Sequence, residues 1–181
     1  MSILELWLPI GLSAIVTFIA SAVIWMGLRW HNRDYRAPAD EAALRGALNG
    51  AAPGFYLLPY CMDPAEFKRP DVRQKYEEGP LAYVTVVPSG VPKMGPKLIS
   101  SFVFYLFVGA LCAYLVSRTL PPGAAYLEIF RVAGTVAFVA HGIALIPESI
   151  WFGRPWPMTA KSLLDAVIYG LLTGGVFGWL A

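Results

Sequence analysis

The chain is poor in charge: of its 181 residues, 14% are charged and 57% are hydrophobic. Soluble domains carry about 25% charged residues, so this balance argues against an ordinary soluble domain. The two cysteines, Cys61 and Cys112, are accompanied by no CxxC or Cys/His cluster, and we predict neither a disulfide nor a metal site. There is also no HExxH, GxSxG or phosphate-binding glycine motif. The sequence therefore favours a non-enzymatic protein.

Long uncharged runs make up much of the chain instead. Residues 6–28 and 98–117 contain no charged side chain, and a helix needs roughly 20 apolar residues to cross ~30 Å of hydrocarbon. Residues 127–147 and 161–181 are weaker candidates because they contain charged side chains. The predicted fold is an all-α membrane protein, one four-helix domain over residues 1–181. A small cytoplasmic α/β cap at 29–97 separates the first two helices.

The orientation of the helices follows from the basic residues near their ends, which concentrate on the cytoplasmic side of membranes. The first run has no basic residue before Arg29, so it lacks the n-region of a signal peptide and is predicted to remain as a helix. Both termini are expected outside and loop 29–97 inside. The inner ends carry Arg29, Arg33, Arg36, Lys93, Lys97, Arg154 and Lys161, whereas the outer turn 118–126 has only Arg118.

Within loop 29–97, local patterns predict a small α/β arrangement. Residues 38–49 and 70–78 have helical start and stop residues, and residues 55–60 and 81–87 are rich in aromatic and β-branched side chains. A segment of this length buries little apolar surface on its own. We expect it to depend on the membrane helices or on a partner.

Small residues recur at helical spacing in two predicted spans. Such faces let membrane helices approach closely, and packing is favoured over lining a pathway. The spacing does not say whether the contacted helix belongs to this chain or to another. The two faces are Gly170, Gly174 and Gly178 in the fourth span and Ser13, Thr17 and Ser21 in the first.

Four polar residues fall inside the predicted spans, where each requires a partner. Glu128 and Arg131 are three residues apart and are predicted to pair. Asp165 has two candidate partners: Lys161, four residues earlier, or His141 at a similar depth of the third span. A His–Asp pair is suited to a proton relay or to orienting the imidazole toward a cofactor. Ligation of haem by His31 and His141 near the inner surface is a further alternative.

Several short stretches are recognisable together: WHNRDY at 30–35, APGFY at 52–56, GP at 79–80, PSG at 88–90, SIWF at 149–152, IYGLLT at 168–173 and FGW at 177–179. With them the chain resembles a family of small four-helix bacterial inner-membrane proteins. The resemblance covers nearly the whole chain, implies a bacterial inner membrane and implies no activity. With the orientation expected from the basic residues, both termini are then periplasmic. The resemblance marks Asp34, Tyr35, Lys161 and Asp165 without giving them roles.

The leading functional hypothesis is an accessory or scaffolding subunit of a larger membrane complex, or a homo-oligomer. It rests on the glycine faces, the small cap and the lack of a reaction centre. The alternative is a small membrane protein that binds a lipid, a quinone or a haem-type cofactor near His141 and Asp165. A minimal transporter, which four spans would form only as a dimer, is a third possibility. Nucleic acid is not an expected partner.

Overall fold

The computed structural model describes residues 2–181 and contains four helical stretches long and apolar enough to cross a membrane. We call them the first to fourth spans. The prediction of four helices suited to cross a membrane is therefore confirmed. Their bounds are Ile3–Leu28, Met94–Thr119, Tyr126–Trp151 and Trp156–Leu180.

The secondary structure is dominated by helices, with two short strands between the first two spans. The first span also contains a 3₁₀ turn, Ile3–Leu6, and a π-helical end, Val23–Leu28. The α-helices and strands are α1 (Trp7–Ala22), α2 (Glu41–Ala47), β1 (Gly54–Leu58), α3 (Pro70–Glu78), β2 (Ala82–Val86), α4 (Met94–Thr119), α5 (Tyr126–Gly142), α6 (Ile146–Trp151) and α7 (Trp156–Leu180).

The third span runs further than its hydrophobic pattern predicts. After α5, a single 3₁₀ turn, Ile143–Leu145, leads directly into α6, so helical structure continues to Trp151. Pro147 lies in the first turn of α6, where the missing backbone N–H of proline interrupts no hydrogen bond. Proline therefore does not end the span, and the connection to α7 shrinks to residues 152–155.

The glycine face of the fourth span packs against the third span of the same chain. A Cβ on Gly174 would lie 2.8 Å from the Phe130 carbonyl oxygen and 3.1 Å from the Gly134 Cα. A Cβ on Gly170 would lie 2.9 Å from the Gly134 carbonyl oxygen, and one on Gly178 would lie 2.8 Å from the Tyr126 ring. The absence of side chains therefore allows backbone-to-backbone contact between α5 and α7.

The serine and threonine face of the first span divides its contacts between two helices. Ser13 is buried, and its Oγ would lie 3.3 Å from a Cβ on Gly109 of α4. Thr17 is also buried, and its hydroxyl is 3.4 Å from that of Thr173 in α7. The Ser21 hydroxyl bonds the Phe18 carbonyl within its own helix. The first span thus packs on both the second and the fourth.

The chain divides into two compact units, and each is described by itself. One contains the four spans and extends through Tyr35, resuming at Lys93; the other comprises Arg36–Pro92. The second unit is built on a two-stranded antiparallel sheet in which Gly54 pairs with Val86 and Leu58 with Ala82. Residues 29–35 therefore belong with the membrane helices rather than with the predicted cap.

Local sequence explains the two helices of the second unit. The Asp40 side chain accepts a hydrogen bond from the Ala43 backbone N–H at 2.8 Å and caps the start of α2. Pro70 occupies the first turn of α3, and Gly79, with a φ of 66°, follows its last residue. The Tyr76 hydroxyl of α3 donates to the Pro59 carbonyl after β1 at 3.0 Å.

Candidate functional site

The turn that follows the first span is unusual in its backbone. The π-helical end Val23–Leu28 is followed by Arg29, whose φ of 53° places a non-glycine residue in the left-handed region. A 3₁₀ turn, Trp30–Asp34, comes next and turns His31 back onto the first span. The His31 and Trp25 rings are stacked, with their centroids 4.0 Å apart at an interplanar angle of 11°. Backbone distortions of this kind are frequent at functional sites.

His31 lies between two carboxylates. Its Nδ1 is 2.9 Å from Asp34 Oδ2, and its Nε2 is 2.8 Å from Asp165 Oδ2 in the fourth span. His31 is 1% exposed and Asp165 is 4% exposed, so water does not compete for these contacts. A buried hydrogen bond that links ionisable groups is stronger than the same bond in water. His31 thereby ties the turn after the first span to the fourth span.

Lys161 completes this cluster from the fourth span. Its ammonium donates to Asp34 Oδ1 at 2.5 Å and to the Trp30 carbonyl at 3.1 Å. The hydrogen bond from Lys161 lowers the pKa of Asp34; burial raises it and the bond with His31 lowers it, and the net shift is downward. Asp34 is therefore ionised at neutral pH. We call His31, Asp34, Lys161 and Asp165 the charge cluster.

The charge cluster differs from the pairs that spacing in the sequence predicts. Asp165 contacts neither His141 nor Lys161 but His31, and Lys161 contacts Asp34 instead. Neither Lys161 nor His141 pairs with Asp165, because the turn after the first span brings His31 and Asp34 to the end of the fourth span. The resemblance marks Asp34, Lys161 and Asp165 together, but no spacing rule joins residues more than 120 positions apart.

His141 lies among aromatic rings rather than beside a carboxylate. The centroid of its imidazole is 5.3 Å from that of Phe104, 5.6 Å from that of Tyr105 and 5.2 Å from that of Tyr169. Tyr169 follows Asp165 by one helical turn, so both side chains lie on the same face of α7. The second, third and fourth spans thus meet around an aromatic group that also carries an imidazole.

One oxygen of the Asp165 carboxylate is without a hydrogen bond. Its Oδ2 contacts His31, whereas its Oδ1 is buried and has no partner among the described residues. A buried unpaired acceptor of a charged group is costly, and such atoms are rare in proteins. This oxygen is therefore a candidate acceptor for a polar group that enters the bundle.

The histidines do not suit bis-histidine ligation of haem. An axial ligand must present a free ring nitrogen to the iron. Both nitrogens of His31 contact carboxylate oxygens, so ligation would require the loss of at least one of those bonds. Within residues 2–181, no group of three or more His, Cys, Asp or Glu side chains could hold a metal ion.

Glu128 and Arg131 do not form the predicted ion pair. The Glu128 carboxylate instead accepts a hydrogen bond from the Ala125 backbone N–H at 2.9 Å, which caps the start of α5. Arg131 lines a groove of about 300 Å³ between α5 and α7, together with Thr135 and Leu171. The Glu128 carboxylate therefore caps α5, although its three-residue spacing from Arg131 predicts an ion pair with that side chain.

Cys61 has none of the features of a reactive thiol. Its side chain is 5% exposed, and its Sγ contacts the Asp63 carbonyl and the Glu66 carboxylate at 3.6 and 3.7 Å. Burial raises the pKa of the Cys61 thiol, and the neighbouring carboxylate of Glu66 raises it further. Because the thiolate is the nucleophile, this cysteine is not suited to catalysis.

The unit Arg36–Pro92 leaves most of its apolar side chains at the surface. In this unit, all of which the structure describes, Cys61 is the only buried residue. Many of its large apolar side chains are solvent-exposed even though the unit lies outside the four spans. Leu58, Tyr60, Met62, Leu81, Val87 and Val91 are each more than half exposed.

Comparison with known proteins assigns the chain to no group. No family model, no curated protein and no solved structure is significantly similar to it. The functional argument therefore rests on the fold, on the charge cluster and on the exposed apolar side chains of the unit Arg36–Pro92.

Proposed function

We propose that this chain is a non-enzymatic integral membrane protein that acts as an accessory or scaffolding subunit of a larger membrane assembly. The unit Arg36–Pro92 is the part that contacts the partner protein. In this proposal the membrane is the bacterial inner membrane, and the unit lies on its cytoplasmic side. Basic residues beside the spans support that orientation, since they concentrate on the cytoplasmic face.

The observation that carries the proposal is the exposed apolar surface of this unit. A domain of roughly 60 residues is stable only when it buries much of its apolar surface. Here Cys61 is the single buried residue, whereas side chains such as Tyr60 and Val91 are 79% and 90% exposed. A small unit that exposes this much apolar surface is typical of a protein with an interaction site. We therefore expect another protein to cover part of the exposed apolar surface of this unit.

The charge of the unit favours a protein over an anionic lipid surface. Residues 36–92 contain six Lys or Arg and seven Asp or Glu, so the unit is nearly neutral. Segments that bind anionic headgroups carry clusters of basic residues. A protein surface with apolar contacts and few charges is the better match.

The test is the size and composition of the particle extracted in mild detergent. We expect the wild-type chain to migrate with a second protein at fixed stoichiometry, and Tyr60→Asp and Val91→Asp to release it. Ser89→Asp is the matched control, because it adds the same charge at an exposed polar position two residues from Val91. A wild-type particle containing a single chain, or only copies of this chain, would contradict the proposal.

A second candidate function is the binding of a lipid or quinone headgroup inside the bundle. The specific observation is Asp165 Oδ1, a buried acceptor without a partner on the helix face that also carries Tyr169. A headgroup hydroxyl could donate to this oxygen. Native mass spectrometry would then show a bound small molecule that is retained by the wild-type chain and lost from Asp165→Asn. An adduct that is equally abundant in both chains would count against it.

A further inference from the structure

We propose that Asp34, His31 and Asp165 form a buried proton-binding site in which His31 is held as an imidazolium cation between the two carboxylates. This inference is independent of the partner proposed above. It rests on the number of protons that the hydrogen-bond geometry requires, on the charge of the surrounding groups and on the stacking of Trp25.

The two short contacts of His31 require two protons. Its Nδ1 is 2.9 Å from Asp34 Oδ2, and its Nε2 is 2.8 Å from Asp165 Oδ2. At these separations a nitrogen and an oxygen share a proton, because two lone pairs facing each other would repel. A neutral imidazole has one N–H, and an ionised carboxylate has none. One additional proton is therefore needed, whichever tautomer is assumed.

The additional proton belongs on His31 rather than on a carboxylate. An imidazole is the stronger base, with an ordinary pKa of about 6.5 against about 3.9 for an aspartate side chain. Asp34 also accepts a hydrogen bond from the Lys161 ammonium, which favours its ionised form. The face of the Trp25 indole lies against the imidazole and attracts a cation. The basicity of the imidazole, the ionised Asp34 and the Trp25 ring all favour the imidazolium.

The charges around the site balance only when the proton is bound. The cations His31 and Lys161 then face the anions Asp34 and Asp165, and the cluster is neutral. Arg154 approaches the same helix but donates to Ser162 rather than to a member of the cluster. Loss of the proton would leave two carboxylates against one ammonium in a region shielded from water, which is unfavourable.

Release of the proton would weaken the contact between the turn Trp30–Asp34 and the fourth span. One ring nitrogen of His31 would then face a carboxylate oxygen with no proton between them. If that nitrogen is Nε2, which faces Asp165, Lys161 would be the remaining link to the fourth span, through Asp34 and the Trp30 carbonyl. The site thus couples proton binding to the attachment of the turn that precedes the unit Arg36–Pro92.

Nitrogen NMR of the full chain tests the proposal directly, because the sequence contains only two histidines. The chain would be labelled with ¹⁵N-histidine and studied in detergent at pH 7, with His141→Phe used to assign the signals. We expect both nitrogens of His31 to be protonated, and His141, which contacts three aromatic rings, to give the signals of a neutral imidazole. A bare ring nitrogen on His31 at pH 7 would overturn the proposal.

The role of Asp165 is tested by the same spectrum recorded on Asp165→Asn at pH 7. The amide of asparagine can donate to Nε2, so a neutral imidazole then satisfies both contacts, and we expect one bare ring nitrogen on His31 in this variant. Asp71→Asn, which removes an exposed partner of Arg69, should leave both nitrogens of His31 protonated. Two protonated nitrogens in Asp165→Asn would overturn the assignment of Asp165. If that variant fails to fold, the wild-type spectrum still decides the state of His31.

Discussion

At the scale of single residues, Asp34 has the most consequential position in the charge cluster. Its two oxygens contact different partners: Oδ1 accepts from Lys161 and Oδ2 contacts His31. The side chain is only 6% exposed. Asp34 therefore connects the turn after the first span with the fourth span, and its ionisation state governs both contacts.

The lowered pKa of Asp34 predicts an acid-dependent stability. The hydrogen bond from Lys161 is the main cause of the shift, burial opposes it, and the folded pKa lies below the ordinary value of 3.8. A group with a depressed folded pKa contributes stability above its unfolded pKa and loses it as the pH falls through the folded pKa. We expect a stability contribution that is constant down to about pH 4 and declines below it.

Thermal unfolding at pH 2–7 in detergent would measure this effect, with Asp34→Asn as the comparison. The amide introduced by this substitution does not titrate, so the variant should be less stable at neutral pH and should lose less stability on acidification. Asp71→Asn is a suitable control because both members of the Arg69–Asp71 pair are more than half exposed. Parallel acid profiles for the wild type and Asp34→Asn would contradict the assignment.

The partner of Asp165 shows where prediction from sequence ends at this scale. The residue is a charge in an apolar helix, which is visible from sequence, and the need for a partner follows from membrane energetics. Its choice of His31 over His141 depends on a π-helical end and a left-handed Arg29, and neither has a sequence signature. Spacing in the sequence predicts contacts only between residues on one helix, or on two helices whose register is assumed.

At the scale of elements, the contact between α5 and α7 depends on which glycines face the interface. Gly174 approaches backbone atoms of α5, whereas for its neighbour Gly175 the nearest atom to an added Cβ is the Tyr126 hydroxyl oxygen at 3.9 Å. Membrane helices gain little from hydrophobic burial against lipid, so close packing contributes much of their association energy. Adjacent glycines should consequently respond very differently to the same substitution.

Gly174→Ala is expected to destabilise the helical unit by about 1–3 kcal/mol, the typical cost of overpacking. Its added methyl would lie 2.8 Å from the Phe130 carbonyl oxygen, and α5 and α7 would have to separate. Gly175→Ala should be neutral or slightly stabilising. In a Cys61→Ser background, the fully buried Cys112 is the only thiol, and its reaction with a maleimide on heating reports unfolding. Equal melting temperatures for the two variants would refute this account.

The elements themselves were largely predictable, because their causes are local. Run length in the sequence identifies the first and second spans, and Pro70 and Gly79 delimit α3. The strands β1 and β2 lie within or close to their predicted segments. The third span was harder: Pro147 resembles a terminator, and only the 3₁₀ turn before it shows that helical structure continues.

At the scale of the whole molecule, the two units differ in how much of their apolar surface is buried in a core. The membrane unit has a continuous core that includes Leu6, Val108, Ile129 and Phe177. Its remaining apolar surface suits a lipid solvent. The unit Arg36–Pro92 lies outside the spans and has no comparable core. An aqueous environment makes its exposed side chains costly, and this contrast is the physical reason to expect a partner for that unit.

The orientation of the molecule yields the last prediction. Four crossings place residues 36–92 on one side of the membrane and the turn between the second and third spans on the other. Basic residues such as Arg33 and Lys97 flank the first side, and Arg118 stands alone near the second. From the rule that basic residues remain in the cytoplasm, we predict that residues 36–92 lie inside and the turn lies outside.

Single cysteines in the Cys61→Ser background test this arrangement in intact bacterial cells. Pro122→Cys and Ser89→Cys place thiols at exposed positions on opposite sides. A maleimide that cannot cross the inner membrane should label position 122 in intact cells, and position 89 only after permeabilisation. The parent chain, whose Cys112 is fully buried, is the control for background labelling. Labelling of position 89 in intact cells would show that the orientation is the opposite one and that the unit Arg36–Pro92 lies outside the cytoplasm.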